Sequence, residues 1–229
     1  MQVTRIFAIR HGETAWNVDT RIQGQLDIGL NDQGQLDIGL NDQGRWQAQR
    51  AALALQEEPL HAIYSSDLSR AFDTAQAIAQ HAQVALDVQP EADLRERHFG
   101  HFQGKTWAEI GEQWPHDAKL WRERDPHWSP EGGESLVALR ARISACVERL
   151  AAQHMGQSIV LVAHGGVMDV LYRLATQQDT QAPRTWQLGN AAINRLLWTP
   201  QGLSLVGWGD VSHLSEEPRK GNPRDETSA

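Results

Sequence analysis

The sequence has a single cysteine and no long apolar segment. Cys146 therefore has no partner for an intrachain disulfide, and its place in a helical pattern indicates a buried thiol. No apolar run approaches the length of about 20 residues that a membrane-spanning helix needs. Residues 1–9 also show no signal-peptide pattern. We therefore expect a soluble, cytoplasmic protein that does not bind membranes.

An excess of positive charge is also missing. The 229 residues include 21 Lys and Arg against 29 Asp and Glu, a formal net charge of −8. This balance argues against a general affinity for nucleic acid or anionic membranes, which needs clustered basic residues. It leaves open a local arginine cluster that binds a small anion. The length and the hydrophobic fraction of 40% fit one globular domain, which we place at 1–213, followed by a charged, disordered tail at 214–229.

Apolar strand patterns alternate with helical patterns along the chain. The strand Ala62–Ser65 leads to a helix capped by Ser66 or Asp67 and running to about His81. This alternation predicts an α/β fold, a three-layer α/β/α sandwich with a mainly parallel central sheet. The other predicted strands are Val3–Ile9, Val84–Val88, Ile159–Val162 and a closing hairpin of Ala192–Trp198 and Leu203–Trp208; the other helices are Trp46–Gln56 (capped by Asn41 or Asp42), Glu134–His154 and Val167–Ala175.

One stretch is a tandem duplication. Residues 24–33 are repeated without change as residues 34–43. Two copies with a period of ten are too few and too short for a solenoid. Because lengthening a loop costs little closure entropy, the fold should tolerate the extra copy.

Four tryptophans are spaced by seven residues in the region between Arg97 and Pro130, which we predict to form a lid of short helices and loops. Pro115 and Pro126 interrupt this series, so the spacing does not indicate a coiled-coil seam. We interpret it as a coincidence. The four residues are Trp107, Trp114, Trp121 and Trp128.

Two histidines follow two of the apolar strands, and each is followed by glycine. His11 comes before Gly12, and His164 before Gly165. Open α/β sheets place their functional groups beyond the carboxyl ends of the strands, where helix N-termini also favour anions. His98 and His101 lie close to Glu96 in the sequence and are further candidates for lining a site.

Two histidines and a carboxylate also suggest a metal site. Arg10 argues against a metal, because it places a fixed positive charge next to one presumed ligand, and Arg70 lies near another strand end. Guanidinium groups match the oxygens of a phosphate. We therefore predict a phosphate site without a metal.

The ordered motifs resemble those of the histidine phosphatase superfamily, the phosphoglycerate mutase-like proteins. The resemblance extends from residue 4 to about residue 210. It rests on Arg10-His11-Gly12-Glu13-Thr14 with Trp16-Asn17, Arg21-Ile22-Gln23-Gly24, Ser66-Asp67-Leu68-Ser69-Arg70-Ala71, Leu94-Arg95-Glu96 with Phe99-Gly100, Gly133-Glu134-Ser135 and Val162-Ala163-His164-Gly165-Gly166.

The resemblance implies the role of each site residue. His11 would attack phosphorus to form a phosphohistidine, and Glu96 would act as general acid and then as general base. No metal or organic cofactor is implied. The phosphoryl oxygens would be held by Arg10, Asn17, Arg70, His164 and the Gly165 amide, and the rim of the substrate pocket would include Gln23, Gly24, His98 and His101.

Three activities fit the resemblance. The motif Glu96–Gly100 is similar to that of mutases, whereas the short separation of Glu96 and His164 resembles the compact phosphatases. A non-enzymatic phosphate-binding protein should lack one of the catalytic residues, and all are present. We therefore predict hydrolysis of a small phosphomonoester, with phosphoglycerate mutase-type transfer or weakly active phosphate binding as alternatives.

The duplication leads to a first testable prediction. We hypothesise that the ten extra residues bulge at the rim of the pocket, where they alter access or offer a surface for a homodimer. Deleting residues 34–43 should leave the fold intact and change substrate range or oligomeric state, as measured by circular dichroism, kinetics and solution mass. Unchanged kinetics together with an unchanged mass would show that the duplication is neutral.

Overall fold

A computed structural model describes residues 2–27 and 39–215, and within them one six-stranded sheet forms the centre of the molecule. Residues 28–38, which hold most of the repeat, and the predicted tail from 216 onward lie outside the described residues. The strands are β1 (Thr4–Arg10), β2 (Ala62–Ser65), β3 (Val88–Pro90), β4 (Ser158–Ala163), β5 (Ile193–Thr199) and β6 (Gly202–Asp210). Their order is β3-β2-β4-β1-β5-β6. The first four strands in this order are parallel, β5 pairs antiparallel with β1, and β6 pairs antiparallel with β5.

Helices cover both faces of this sheet. They are α1 (Ala15–Val18), α2 (Asp42–Leu55), α3 (Ser69–His81), α4 (Trp107–Gln113), α5 (Pro115–Arg122), α6 (Leu136–Ala152) and α7 (Gly165–Thr176). On one face, Ile9 and Val162 pack with apolar residues of α2 and α3. On the other face, Ala8 and Leu161 pack with residues of α6 and α7. Since a strand buried on both faces must be apolar throughout, the continuous apolar runs of β1 and β4 follow from this layering. The predicted three-layer sandwich is confirmed.

Two local predictions are wrong. The third strand does not cover Val84–Val88, because Val84 is 55% exposed and pairing begins only at Val88. Helix α3 is also not capped by Ser66 or Asp67, since its N-cap position is Leu68. Asp67 instead accepts a hydrogen bond from Arg95 at 2.7 Å. Ser66 contacts the ring of His164 through its hydroxyl group. Both side chains predicted to cap α3 therefore make tertiary contacts instead, and sequence spacing does not predict such contacts.

The region after β3 carries an aromatic cluster. Helices α4 and α5 are short and separate, so no coiled-coil seam forms. The four tryptophans nevertheless meet, with ring centroids of Trp107 and Trp121 5.1 Å apart and those of Trp121 and Trp128 6.4 Å apart. Phe102 contacts Trp114, Trp121 and Trp128 at the centre of the cluster. The four tryptophans spaced by seven residues, a spacing interpreted above as a coincidence, thus belong to one aromatic cluster.

The end of the described chain packs against the domain. Ser212–Leu214 forms a short 3-10 helix, and the His213 side chain is buried. Arg50 of α2 donates a hydrogen bond to the carbonyl of His213 at 2.7 Å. Leu214, the first residue of the predicted tail, is therefore part of this 3-10 helix. Within the ranges that the model describes, no helix has the length and apolar character needed to cross a membrane.

Candidate active site

The pairing of β1 with β4 brings the two strand-end histidines together. Arg10 is the register partner of Ala163, so His11 and His164 follow neighbouring positions at the same edge of the sheet. Their ring centroids are 5.1 Å apart. Residues 153 positions apart in the chain thus form one cluster because parallel strands end at the same edge.

The tautomer of His11 follows from its hydrogen bond. Its Nδ1 lies 2.7 Å from the carbonyl oxygen of Gly12. A carbonyl can only accept, so Nδ1 carries the proton and Nε2 carries a free lone pair. Burial, followed by the positive charges of Arg70 and Arg10, lowers the pKa of His11 well below its usual value of about 6.5. His11 is therefore a neutral imidazole at neutral pH, with Nε2 available as a nucleophile.

The turn after β1 is fixed by close backbone contacts. The Gly12 N–H donates to Thr74 Oγ1 at 3.1 Å, and a Cβ at Gly12 would lie 2.4 Å from the carbonyl oxygen of Gly44 in α2. The Glu13 N–H donates to Gln47 Oε1 at 2.8 Å. Only glycine allows this approach of the turn to α2. The backbone around His11 is thus held by α2 and α3.

His164 is held in the opposite tautomer. Its Nε2 lies 2.8 Å from Ser66 Oγ, which also accepts a hydrogen bond from the Leu68 N–H. Among the described residues, Nε2 is the acceptor that remains for the hydroxyl proton of the fully buried Ser66, so this proton points to Nε2 and Nδ1 carries the ring proton. Nδ1 has no hydrogen-bond partner among the described residues. Burial, followed by the charge of Arg70, lowers the pKa of His164 well below its usual value, so the ring is a neutral donor.

Two buried arginines supply the positive charge. Arg10 donates to the carbonyl of Leu188, and Arg70 donates to the carbonyls of Gly24 and Leu26 at 2.7 and 3.0 Å. Burial lowers the pKa of Arg70 to about 10, while Glu96 opposes this shift, so Arg70 remains protonated at neutral pH. The Nε atoms of both arginines have no partner in the described part of the chain. Both guanidinium groups retain donors for an anion.

Glu96 lies at the N-terminus of α7. Both of its carboxylate oxygens accept from the Gly166 N–H, at 3.1 and 3.0 Å, and Oε1 also accepts from the Arg97 N–H at 2.7 Å. A Cβ at position 166 would lie 2.2 Å from Oε1, so a side chain there would displace the Glu96 carboxylate from this place. The partial positive charge of a helix N-terminus favours an anion at this place. Glu96 is thus fixed beside Gly165 in the pocket.

Asn17 is oriented by a residue that the sequence analysis missed. Its Oδ1 accepts hydrogen bonds from the N–H and hydroxyl of Thr14 and from Asn190 Nδ2, at 3.1, 3.2 and 3.2 Å. Since these donors occupy the oxygen, the amide NH₂ is the part of Asn17 left for the site. Asn190 also donates to the carbonyl of His11 at 3.0 Å. A lone asparagine in a loop between distant elements carries no local sequence signal.

Most of the predicted site residues line one cavity of about 680 Å³. His164 is not among the described residues that line the cavity, but its ring lies against that of His11. The described residues that line the cavity do not include His98 or His101. His98 accepts from the Gly100 N–H, and His101 packs on Trp114. The predicted residues that line it are Arg10, His11, Asn17, Gln23, Gly24, Arg70, Glu96 and Gly165.

The outer part of the cavity is rich in arginines that were not predicted. Arg124 pairs with Asp169 at 2.9 Å, and Asp169 also pairs with the buried Arg173 at 3.0 Å. Arg184 makes no ion pair with any described residue. In all, seven arginines and two carboxylates line the cavity: Arg10, Arg21, Arg70, Arg97, Arg122, Arg124, Arg184, Glu96 and Asp169. The local charge is positive although the chain is acidic.

One cluster among the described residues has the side chains of a metal site, but it lies apart from these cavity-lining residues. It consists of Glu91, Asp93 and Cys146. Arg149 pairs with Glu91 at 2.7 Å and with Asp93 at 3.6 Å, so the charges of the two carboxylates are already balanced in part by a guanidinium group. Burial raises the pKa of the Cys146 thiol to about 12, which disfavours the thiolate that binds metals.

The sequence is similar to those of two named plant proteins. The chain is 40% identical over 214 residues to phosphoglycerate mutase-like protein 4 of Arabidopsis thaliana, an alignment that covers 92% of this chain and 87% of the relative. It is 39% identical over 215 residues to a metal-independent phosphoserine phosphatase of the same plant, covering 93% and 84%.

The fold is also found among solved structures. A mycobacterial glucosyl-3-phosphoglycerate phosphatase in complex with VO₃ superposes with a TM-score of 0.75 at 36% identity, covering 90% of this chain and 98% of that one. The model of the histidine phosphatase superfamily (branch 1) matches residues 6–36 and 32–211, two segments that overlap within the repeat. The chain belongs to the histidine phosphatase superfamily.

Proposed function

We propose that this protein hydrolyses small phosphomonoesters through a phosphohistidine formed on Nε2 of His11. The observation that carries the proposal is the 2.7 Å contact between His11 Nδ1 and the carbonyl of Gly12, which leaves Nε2 with its lone pair. The similarity to proteins named as phosphatases supports hydrolysis. A cytoplasmic location and a homodimer remain predictions from the sequence.

The reaction has two steps. In the first, Nε2 of His11 attacks phosphorus and the ester oxygen leaves with a proton from the Glu96 carboxyl group. In the second, Glu96 takes a proton from water, the resulting hydroxide attacks the phosphohistidine, and phosphate and free His11 result. The negative charge on the phosphoryl oxygens is stabilised in both steps by Arg10, Arg70 and the Nδ1–H of His164.

Hydrolysis and mutase activity share the first step and differ in the acceptor. We expect phosphate release to exceed the interconversion of 2- and 3-phosphoglycerate when both are measured in the same reaction. His11→Ala should lower phosphate release at least about a thousandfold, because the nucleophile is lost. Interconversion faster than release would favour the mutase, and an active His11→Ala variant would contradict the mechanism.

The arginines of the outer cavity indicate a substrate with a second anionic group. Arg124 is held by Asp169, and the positive charge of Arg184 acts on both Arg10 and Arg124, where it adds to the effect of burial in lowering their pKa values. Arg184 is exposed and lines the cavity without an ion pair among the described residues. Phosphoserine and glucosyl-3-phosphoglycerate, for which two of the relatives are named, both carry a carboxylate. We therefore assign the outer arginines to a substrate carboxylate.

Two substrates that differ only in this group test the assignment. Wild-type kcat/KM should be higher for 3-phosphoglycerate than for glycerol 3-phosphate, which has a hydroxymethyl group in place of the carboxylate. Arg184→Gln should reduce this ratio about fivefold, because a partly solvated charge pair is lost. Arg45→Gln is the control, since Arg45 lies on α2 and pairs with the exposed Asp42. An unchanged ratio in Arg184→Gln would contradict the role of Arg184.

The neutral histidines also predict how stability depends on pH. The folded state holds His11 and His164 neutral, whereas the unfolded chain binds protons at these residues below pH about 6.5. The contribution of these two histidines to the stability of the folded state is thus fully present above that pH and is lost as the pH falls. The free energy of unfolding, measured with urea, should decrease as the pH is lowered below about 6.5. The slope of this decrease should approach about 1.4 kcal/mol per pH unit for each histidine.

Histidine variants provide the controls for this pH dependence. A His11→Asn/His164→Asn variant should have a flatter profile between pH 6.5 and 5, whereas His116→Asn, at an exposed position, should keep the wild-type slope. A double variant with the wild-type slope would show that these two histidines are not the cause.

A further inference from the structure

The first copy of the repeat contacts two residues of the active site. We call its described residues Gly24–Asp27 the clasp. The carbonyls of Gly24 and Leu26 accept from the guanidinium of Arg70, at 2.7 and 3.0 Å. The side chain of Gln25 donates from Nε2 to the backbone carbonyl of Glu96 at 2.9 Å. One short segment thus connects the phosphate-binding arginine with the general acid.

Asp27 fixes the clasp to the helix that carries Arg70. Its carboxylate oxygens accept from the Ser69 N–H at 2.9 and 3.1 Å, and Oδ1 also accepts from the Ser69 hydroxyl at 2.6 Å. The N-cap residue of α3, Leu68, has no polar side chain. Asp27 therefore supplies from another segment the cap that α3 lacks, and it does so next to Arg70.

The other side of the clasp is fixed by Gln103. Its Oε1 accepts from the Gln25 N–H at 2.8 Å. Gly24 has a φ of +55°, and a Cβ there would lie 2.2 Å from Oε1 of Gln103. Only glycine combines this backbone conformation with this contact. The clasp is thus held from both sides, by α3 and by the region after Glu96.

The described end of the second copy has a different task. Asn41 Oδ1 accepts from the Gly44 N–H at 2.7 Å and so caps α2, while its Nδ2 donates to Glu13 Oε1 at 2.9 Å. Leu40 forms a β-bridge with Thr14. The described residues of the first copy, 24–27, and those of the second copy, 39–43, are opposite ends of the ten-residue unit, and they contact different parts of the domain.

We propose that Gln25 and Asp27 of the clasp are positioning residues for Glu96 and Arg70, and that the identical Gln35 and Asp37 do not replace them. The proposal rests on the assigned roles of Arg70 and Glu96 in the proposed function. A guanidinium held by two carbonyls is already oriented when charge develops on the phosphoryl group, so little reorganisation is needed. Loss of this orientation should therefore lower the rate of phosphoryl transfer.

The repeat supplies a matched control for each variant, since Asp27→Ala and Gln25→Ala can be compared with Asp37→Ala and Gln35→Ala in the full chain. Asp27→Ala should weaken the binding of inorganic phosphate, measured by tryptophan fluorescence, and lower kcat, each about tenfold. Asp27→Asn, which keeps an acceptor oxygen for Ser69, should recover most of this loss. Asp37→Ala and Gln35→Ala should match wild type in both measurements.

Gln25→Ala should show a different pattern, because it acts through the general acid. Its kcat/KM, which reports the first step alone, should fall about tenfold for an alkyl phosphate such as 3-phosphoglycerate and change little for p-nitrophenyl phosphate, whose leaving group needs no proton. A purely structural role would lower both rates equally. Equal losses for the two substrates would therefore overturn the role of Gln25.

Three results would overturn the proposal as a whole. Asp27→Ala could bind phosphate and react as wild type does; Asp37→Ala could lose as much as Asp27→Ala; or only the double variant Asp27→Ala/Asp37→Ala could lose activity, which would show that the copies are interchangeable. Phosphate binding tests the clasp even without turnover. Absence of phosphate release by the wild-type chain would refute the proposed function. The comparison of phosphate binding by Asp27→Ala and Asp37→Ala would then still decide whether the clasp positions Arg70.

Discussion

The parallel pairing of β1 with β4 is the contact on which the active site depends. Arg10 and Ala163 are partners in this pairing, and the next residue of each strand is a histidine. Both strands are apolar throughout because helices bury them on both faces, and this burial fixes their register. The site is therefore a consequence of the core: a shift of one residue between these strands would separate His11 from His164 and expose core side chains.

Burial also determines the chemistry at this edge. Burial, followed by the positive charges of the two arginines, lowers the pKa values of His11 and His164, so both histidines are held neutral. The backbone then decides what each ring does. Gly12 occupies Nδ1 of His11 and leaves a nucleophile, whereas Ser66 occupies Nε2 of His164 and leaves a donor. Two identical side chains thus acquire opposite roles from their hydrogen-bond partners.

The parts of this site that the sequence predicts are those with a local pattern. His11, His164 and Arg10 stand at the ends of apolar runs, and the layered fold follows from the alternation of strands and helices. Asn190 and Asp169 were missed because their roles arise from contacts with distant segments. The same reason explains why the cap of α3 was predicted wrongly: Asp27, from a distant segment, caps this helix in place of the expected Ser66 or Asp67. His98 and His101 were predicted from their closeness to Glu96 in the chain, but their side chains serve a turn and the aromatic cluster.

In the mechanism that we propose, the phosphoryl group is transferred through Nε2 of His11. It is tested most directly by mixing the enzyme with substrate labelled in the phosphoryl group, quenching in alkali within one turnover, and locating the label by mass spectrometry and ³¹P NMR. We predict one labelled residue, His11, carrying the phosphoryl group on Nε2. Label on another residue, label on Nδ1, or phosphate release without any labelled protein would contradict it.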